Sequence, residues 1–290
     1  MTPVPTEAIT SARCYVTPGS APRSLADLVP QKVSDMLNRS TLSDLSDDAS
    51  LQSLLQAHPL ALHVPMWSAH ILRLRDATAA LHRTYPETWT KSWSIEEILA
   101  SQAVQDLSHA LQTSDTPMLR ASVRIHATGT SRTIIAPMSI PPPSNLIVRL
   151  DTQPVWLRDA MVLHKTDARD PYDAARARVH GTLSAPSADP NACFDVLLWH
   201  TDEAGVSYIT ESSIANVIVE LPEETGPMYY TPPFSALLPG LLIQGLVHEG
   251  VVHIQPLPVE KLRVKMQQPG AQLWLCNAVR GMFAVSLETS

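Results

Sequence analysis

The sequence predicts an α+β protein of two domains, a smaller α/β half followed by a mostly β half. Three observations carry that expectation. At 290 residues the chain exceeds what one ordinary hydrophobic core fills. The stretch SIPPPSNL, residues 139–146, holds three consecutive prolines, which exclude helix and central strand and favour a stiff extended connector. Helical patterns crowd upstream of that connector, and short strand-like runs recur downstream. The boundary falls there, giving an N-terminal α+β domain (1–140) and a C-terminal β-rich domain (141–290).

Taken in order, residues 40–60 (STLSDLSDDASLQSLLQAHPL) are rich in Ser and Asp ahead of a short helical pattern, and read as a solvated loop. SAHILRLRDATAALHRTY (68–85) offers Ser68 as N-cap and sets Ile71, Leu74, Thr78 and Leu81 near one helical face. SIEEILASQAVQDLSHAL (94–111) carries Ser94 and Glu97 in capping-box spacing. Leu99, Ala103, Leu107 and Leu111 follow as an apolar stripe, so the spacing predicts a second helix. MLRASVRIHATGTSRTIIAPM (118–138) alternates, turns at Gly129 and resumes as a β-branched run, the pattern of a hairpin. Beyond the connector, NLIVRL, FDVLLW, SIANVIVEL, GVVHIQPL, AQLWLC and FAVSL read as strands. Helices are expected there chiefly after Asp170-Pro171 and after Pro239-Gly240.

Composition narrows the function classes. A 44% hydrophobic and 17% charged chain folds, and a net charge of −7 is opposite in sign to a nucleic-acid footprint, so no nucleic-acid partner is expected. Cys14, Cys193 and Cys276 are odd in number, far apart and without metal-ligand spacing, which suits a reducing, cytoplasmic setting. The eleven histidines form no HExxH or Cys/His cluster, so no metal is expected. No apolar run reaches the ~18 residues of a membrane span, and the N-terminus lacks the basic-then-apolar order of a secretory signal.

The stretch VWLRDAMVLHKTDARDPYDAAR (155–176) runs apolar and then stops at Lys165. Alone, a lysine at a strand end reads as solvated and structural. Three later stretches change that reading: SYITESSIANVIVEL (207–221), YYTPPFSALLPGLLIQGLVHEG (229–250) and LWLCNAVRG (273–281). Together the four resemble the class IV, fold type IV pyridoxal-phosphate enzymes, over roughly residues 65–85 and 118–287. That group includes branched-chain and D-amino-acid aminotransferases and the 4-amino-4-deoxychorismate lyases. The forms HKT, YDAAR, VLLW, TPPFSALLPG and CNAVRG are most similar to the lyase branch.

The resemblance implies a D-amino-acid-aminotransferase-like fold with a β pseudo-barrel as its C-terminal domain, a homodimer, a pyridoxal 5'-phosphate cofactor and a small-molecule amino substrate. It implies that Lys165 bonds the cofactor and shuttles protons, a task helped by desolvation of the amine. Glu211 is implied as partner of the pyridine nitrogen, and Arg73, in H-x-x-R-L, as ligand of the phosphate. Leu241 and Leu242 are implied to offer backbone amides at a helix start. Ser213, Asn277 and Ala278 complete the implied cofactor set, Ala278 through its amide alone. Arg120 and Arg124, four apart on one strand face, are candidates to meet a substrate carboxylate, against the alternative of surface charge. The implied activity is elimination of pyruvate from 4-amino-4-deoxychorismate to give 4-aminobenzoate, a folate precursor. The alternatives are a class IV aminotransferase acting on branched-chain or D-amino acids, and a non-catalytic binding protein on the same scaffold.

Departures from the family pattern fall away from Lys165 and Glu211. No glycine lies between Gly19 and Gly129, so the usual Gly-rich turn near the N-terminus is missing or rebuilt. Ile243 stands where relatives carry an arginine after LLPGxx, and Asp167 and Ala168 interrupt the HKTTRR form.

Overall fold

The computed structural model describes residues 4–21, 25–37, 49–138, 145–156, 163–184, 192–224 and 226–288. The chain divides into two units. One comprises 1–28, 38–140 and 164–168, and the other comprises 29–37, 141–163 and 169–290. The change of unit near residue 140 coincides with the proline connector, whose residues 139–144 lie outside the described ones. Two short segments, 29–37 and 164–168, group with the opposite half of the sequence.

The first unit is built on a three-stranded antiparallel sheet in the order β1 (Glu7–Tyr15), β2 (Met118–His126), β3 (Ser131–Pro137). β2 and β3 are the expected hairpin, with Gly129 at φ 86°, a conformation that favours glycine. β1 was not expected from sequence, because Ala8, Thr10 and Ala12 carry little hydrophobic signal. These three residues and Cys14 are nonetheless buried on one face, since successive strand residues alternate. β1 runs against β2 from Glu7↔His126 to Tyr15↔Met118.

The helices of this half, after the short α1 (Gln31–Ser34) of the other unit, are α2 (Ala49–Ala57), α3 (Trp67–Thr84), α4 (Ile95–Leu99) and α5 (Gln102–Thr113). α3 and α5 pack on the sheet, enclosing Ile71, Leu74, Leu81, Leu107 and Ile125. The expected cap of α3 is corrected: Met66, at φ 58°, is the N-cap, and Ser68 is buried within the first turn. The single helix expected over 94–111 is two helices. Ser94 and Glu97 form the capping box of α4, but Ser101 is extended (φ −71°, ψ 154°) and the chain restarts as α5. The cause is phase, because Ala103 and Val104 fall well off the stripe of Ile95 and Ile98, and one straight helix cannot bury both sets. Of the loop expected over 40–60, residues 40–48 lie outside the described ones, and α2 follows.

The second unit is a closed six-stranded barrel. Its strands are β4 (Leu146–Leu150), β5 (Asp195–Thr201), β6 (Ser207–Ser212), β7 (Asn216–Glu223), β10 (Gln272–Asn277) and β11 (Gly281–Glu288), and β10 pairs both β11 and β7 to close the ring. β8 (Gly226–Thr231) and β9 (Val252–Ile254) extend the sheet from β7. Closure leaves the ring strands no free edge. Val148, Leu197, Val217, Val219, Leu275 and Phe283 help fill the core. α6 (Asp170–Arg178) and α7 (Leu241–His248) start where Asp170-Pro171 and Pro239-Gly240 predict, and α8 (Val259–Lys265) is an addition. Segment 29–37 is fastened to β7 and β10. Lys32 Nζ donates to both oxygens of buried Glu220 (2.7 and 2.6 Å) and stands over the Trp274 ring, whose Nε1 donates to Glu220 at 2.8 Å.

The three cysteines are free and buried. Among the described residues no group of His, Cys, Asp or Glu is arranged to hold a metal ion, and no helix is long and apolar enough to cross a membrane.

Candidate active site

In the first unit, α3 and the segment 164–168 bring Arg73 and Lys165 each within electrostatic range of His70. His70 is 1% exposed; its Nδ1 shares a 2.6 Å hydrogen bond with Thr10 Oγ1, and its Nε2 has no partner among the described residues. Burial, and then the neighbouring charges of Arg73 and Lys165, push its pKa down to about 3, so the ring is neutral at physiological pH. Arg73 is half-buried. Desolvation lowers its guanidinium to about 10, which leaves it cationic at neutral pH.

Lys165 was expected to end a buried apolar strand. Residues 157–162 of that run lie outside the described ones, Leu163 is exposed, and Lys165 is half-buried. The segment is held by β1 instead: Ile9 N donates to Lys165 O at 2.8 Å, and Ala8 bridges Thr166. Asp167, a departure from the family pattern, has a clear task here. Its carboxylate accepts from Thr6 N (2.9 Å), Thr6 Oγ1 (2.5 Å) and Glu7 N (3.0 Å), which locks the residues after the lysine to the start of β1. Sequence reasoning missed this tether. His164 is partly buried, and desolvation lowers its pKa.

Arg120 and Arg124 share one face of β2. Arg120 is exposed, whereas Arg124 donates to Glu7 at 2.6 Å and Arg132 takes the other oxygen of that buried carboxylate at 2.7 Å. The two arginines are therefore unequal candidates, since Arg124 is already paired.

In the second unit, Glu211 near the end of β6 is 4% exposed. Its Oε1 accepts from the Tyr172 hydroxyl (2.8 Å) and from Leu238 N (3.1 Å). Burial, and then the adjacent carboxylate, raise the Tyr172 phenol well above its usual range, so it remains a donor. Asn216, directly across the ladder from Glu211, grips the same turn: its Nδ2 donates to Leu238 O (2.8 Å) and its Oδ1 accepts from Gly240 N (3.0 Å). The two motifs TES-x-x-AN and LLPG are thus one physical object. A methyl at Gly240 would come within 2.2 Å of Asn216 Oδ1, so the glycine is there for close approach. Gly240 caps α7 without a side chain, and the first amides of that helix, Leu241 and Leu242 among them, have no intrahelical acceptor. Such a terminus suits an anion.

Other expected residues are committed to the scaffold. Ser213 Oγ donates to buried Asp195 (2.5 Å) and accepts from Arg176 (3.0 Å), while its carbonyl accepts from Arg169 (2.6 Å). A ligand role for Ser213 therefore falls to its amide. Asn277 turns its side chain onto backbone, accepting from Val279 N (3.0 Å) and Arg280 N (2.8 Å) and donating to Ile214 O (3.2 Å). It orders the loop in which Ala278 is buried. Tyr172 was missed as a site residue. Its signal was its place in YDAAR, within the first turn of the helix after the lysine.

A closed barrel presenting a buried, clasped glutamate, joined to an α/β unit carrying a lysine–arginine–histidine cluster, is the two-domain architecture of the fold type IV enzymes. The family model for amino-transferase class IV matches residues 61–287. The chain belongs to that family, whose members are enzymes that use pyridoxal phosphate.

Among solved structures, a Mesorhizobium loti protein provisionally named an amino-acid aminotransferase is 18% identical, with a TM-score of 0.62 over 97% of this chain and 99% of that one. A protein provisionally named a 4-amino-4-deoxychorismate lyase is 17% identical, with a TM-score of 0.55 over 98% and 85%. A Thermotoga maritima protein provisionally named a branched-chain amino acid aminotransferase is 18% identical, with a TM-score of 0.52 over 76% and 70%. At these identities the likeness shows the fold alone. Comparison with curated proteins finds no match.

Proposed function

We propose that the chain is a pyridoxal-phosphate-dependent lyase that eliminates pyruvate from 4-amino-4-deoxychorismate and leaves 4-aminobenzoate. The observation that carries the cofactor assignment is the clasp on Glu211: a buried carboxylate held by Tyr172 and by the Leu238 amide, on the turn that opens α7. The donor set fits the group. In the first unit Lys165 offers an amine and Arg73 a cation suited to a phosphate; in the second the amides of Leu241 and Leu242 suit a phosphate and Glu211 suits a pyridine nitrogen. When bound, pyridoxal phosphate supplies an electron sink for the substrate's amino carbon. Lys165 would take the proton from that carbon as the bond between the ring carbon and the ether oxygen breaks, and would return it to the departing enolpyruvyl group, which leaves as pyruvate. No second substrate is consumed. The lyase reading rests on the HKT, YDAAR and CNAVRG forms.

The second reading is an aminotransferase, favoured by the match of residues 61–287 to the amino-transferase class IV family model. It uses the same residues, with Lys165 as the group that would carry the proton taken from the substrate's amino carbon. Incubating the loaded protein with 4-amino-4-deoxychorismate, without any oxo acid, separates the two. Pyruvate formed in step with 4-aminobenzoate supports the lyase, exchange that requires an oxo-acid acceptor supports the aminotransferase, and neither supports the binding protein. The reading extends to a cytoplasmic homodimer, and sedimentation at micromolar concentration checks the assembly.

A further inference from the structure

The barrel has a second chemically distinctive end. Along β5 and β6 the register runs from Leu197↔Ser212, beside Glu211, to Thr201↔Ser207 at the far end. At that far end lies a cavity of about 450 Å³, within the size range of small-molecule sites. Its walls include Trp199, Ile209 and Leu262, and its charged lining includes Arg149, Arg178 and Arg263.

The three arginines are not equivalent. Arg178 donates through Nε (2.8 Å) and Nη2 (2.5 Å) to Asp151, whose side chain is fully buried, so its fork is filled. Arg149 Nε donates to Glu288. Arg263 is different. Its one ion pair among the described residues is with Glu260 at 3.6 Å, beyond hydrogen-bond distance, and that glutamate side chain is 83% exposed. Arg263 thus keeps its donor fork on the cavity rim.

The lining also says what does not fit. Asp151 and Glu288 are already held by arginines, and no cluster of donors for a metal ion exists among the described residues. Three arginines face three acids, Asp151, Glu260 and Glu288, so a polyanion finds no net excess of positive charge. One negative charge meets one fork. The Trp199 indole, fixed by its 2.8 Å bond to Asp151 O, offers a flat wall, and Ile209 and Leu262 offer aliphatic ones. On the rim, His180 is held at φ 57°, a strained conformation of the kind concentrated at ligand sites.

The geometry points to a second binding site at this end of the barrel, for a small monocarboxylate with a flat apolar body, held by Arg263 and sandwiched against Trp199 and Leu262. The site stands apart from Glu211 and does not depend on the lyase reading.

The test uses the full chain loaded with pyridoxal phosphate, and follows sodium benzoate by calorimetry, with neutral benzamide as comparison. Benzoate should bind saturably and benzamide at least about tenfold more weakly, because only the carboxylate makes the charge-assisted pair. Arg263→Gln should weaken benzoate by about tenfold and Arg263→Lys by less. Leu262→Trp, which fills the cavity without touching charge, should abolish the heat. Arg263 is well exposed, so its variants keep the test readable if Leu262→Trp destabilises the barrel. Absence of saturable benzoate binding to the parent overturns the proposal, and so does parental affinity in either Arg263→Gln or a folded Leu262→Trp.

Discussion

Replacing Gly240 by Ala probes the clasp between the two barrel motifs. The backbone there (φ −66°, ψ 149°) accepts alanine without strain, so any cost arises from contact. The new methyl would sit 2.2 Å from Asn216 Oδ1, and the amide must leave, giving up the bonds to Gly240 N and Leu238 O. Two lost hydrogen bonds cost about 2 kcal/mol, rising to about 4 where the abandoned groups stay buried. Overpacking adds about 1–3 kcal/mol. Asn216→Ala alone forfeits the same two bonds, again about 2–4 kcal/mol. In the double variant the methyl has nothing to strike, so its total should match Asn216→Ala alone. The coupling between the two substitutions should therefore exceed about 2 kcal/mol. Urea unfolding of the four proteins of the cycle measures it, with cofactor affinity as a second readout because Leu241 and Leu242 follow directly. Costs that simply add would refute the clasp.

Lys165→Ala should abolish both visible cofactor absorbance and borohydride-fixed label; label on another lysine would refute the assignment. Arg73→Ala should weaken cofactor affinity by on the order of 1.5–3 kcal/mol, measured by titration. Glu211→Gln should keep the cofactor but slow turnover at least roughly tenfold, about 1.4 kcal/mol in barrier, and Tyr172→Phe should slow it less, as the phenol's bond is lost while that from Leu238 N remains. His70 binds a proton near 6.5 when unfolded but only near 3 when folded. Its contribution is therefore present above pH 6.5 and is lost as pH falls toward 3, at up to about 1.4 kcal/mol per pH unit. His70→Asn should unfold less steeply with acid than the parent, and equal slopes would count against the neutral buried ring.

What the sequence revealed and what it hid follow from how far each residue's job reaches. Strands and helices with their own periodicity, such as the 118–138 hairpin and the helix after Asp170-Pro171, were readable locally. Lys165, Glu211 and Arg73 stood out through ordered motifs. Tyr172 and the tether of Asp167 were hidden because their partners are distant in sequence: Tyr172 meets Glu211, and Asp167 meets Thr6. β1 escaped for a similar reason, since small residues are buried only once a sheet and helices cover them. The break at Ser101 escaped because each half-stripe is a good helix signal, and only their phase betrays the interruption.

The tether between Asp167 and the start of β1 also bears on how the chain is made. β1 is synthesised early, but its ladder partner Met118–His126 follows roughly a hundred residues later, about 5–20 s at ribosomal rates. Asp167 comes 161 residues after Thr6, and Lys32 waits 188 residues for Glu220. Each unit thus includes an element borrowed from the other stretch of sequence, and neither is complete when its first residues leave the ribosome. A protein cut at residue 140 would yield a first piece lacking the lysine segment and a second lacking its 29–37 strap. The lysine is consequently set in place only when β1 meets a segment made long after it.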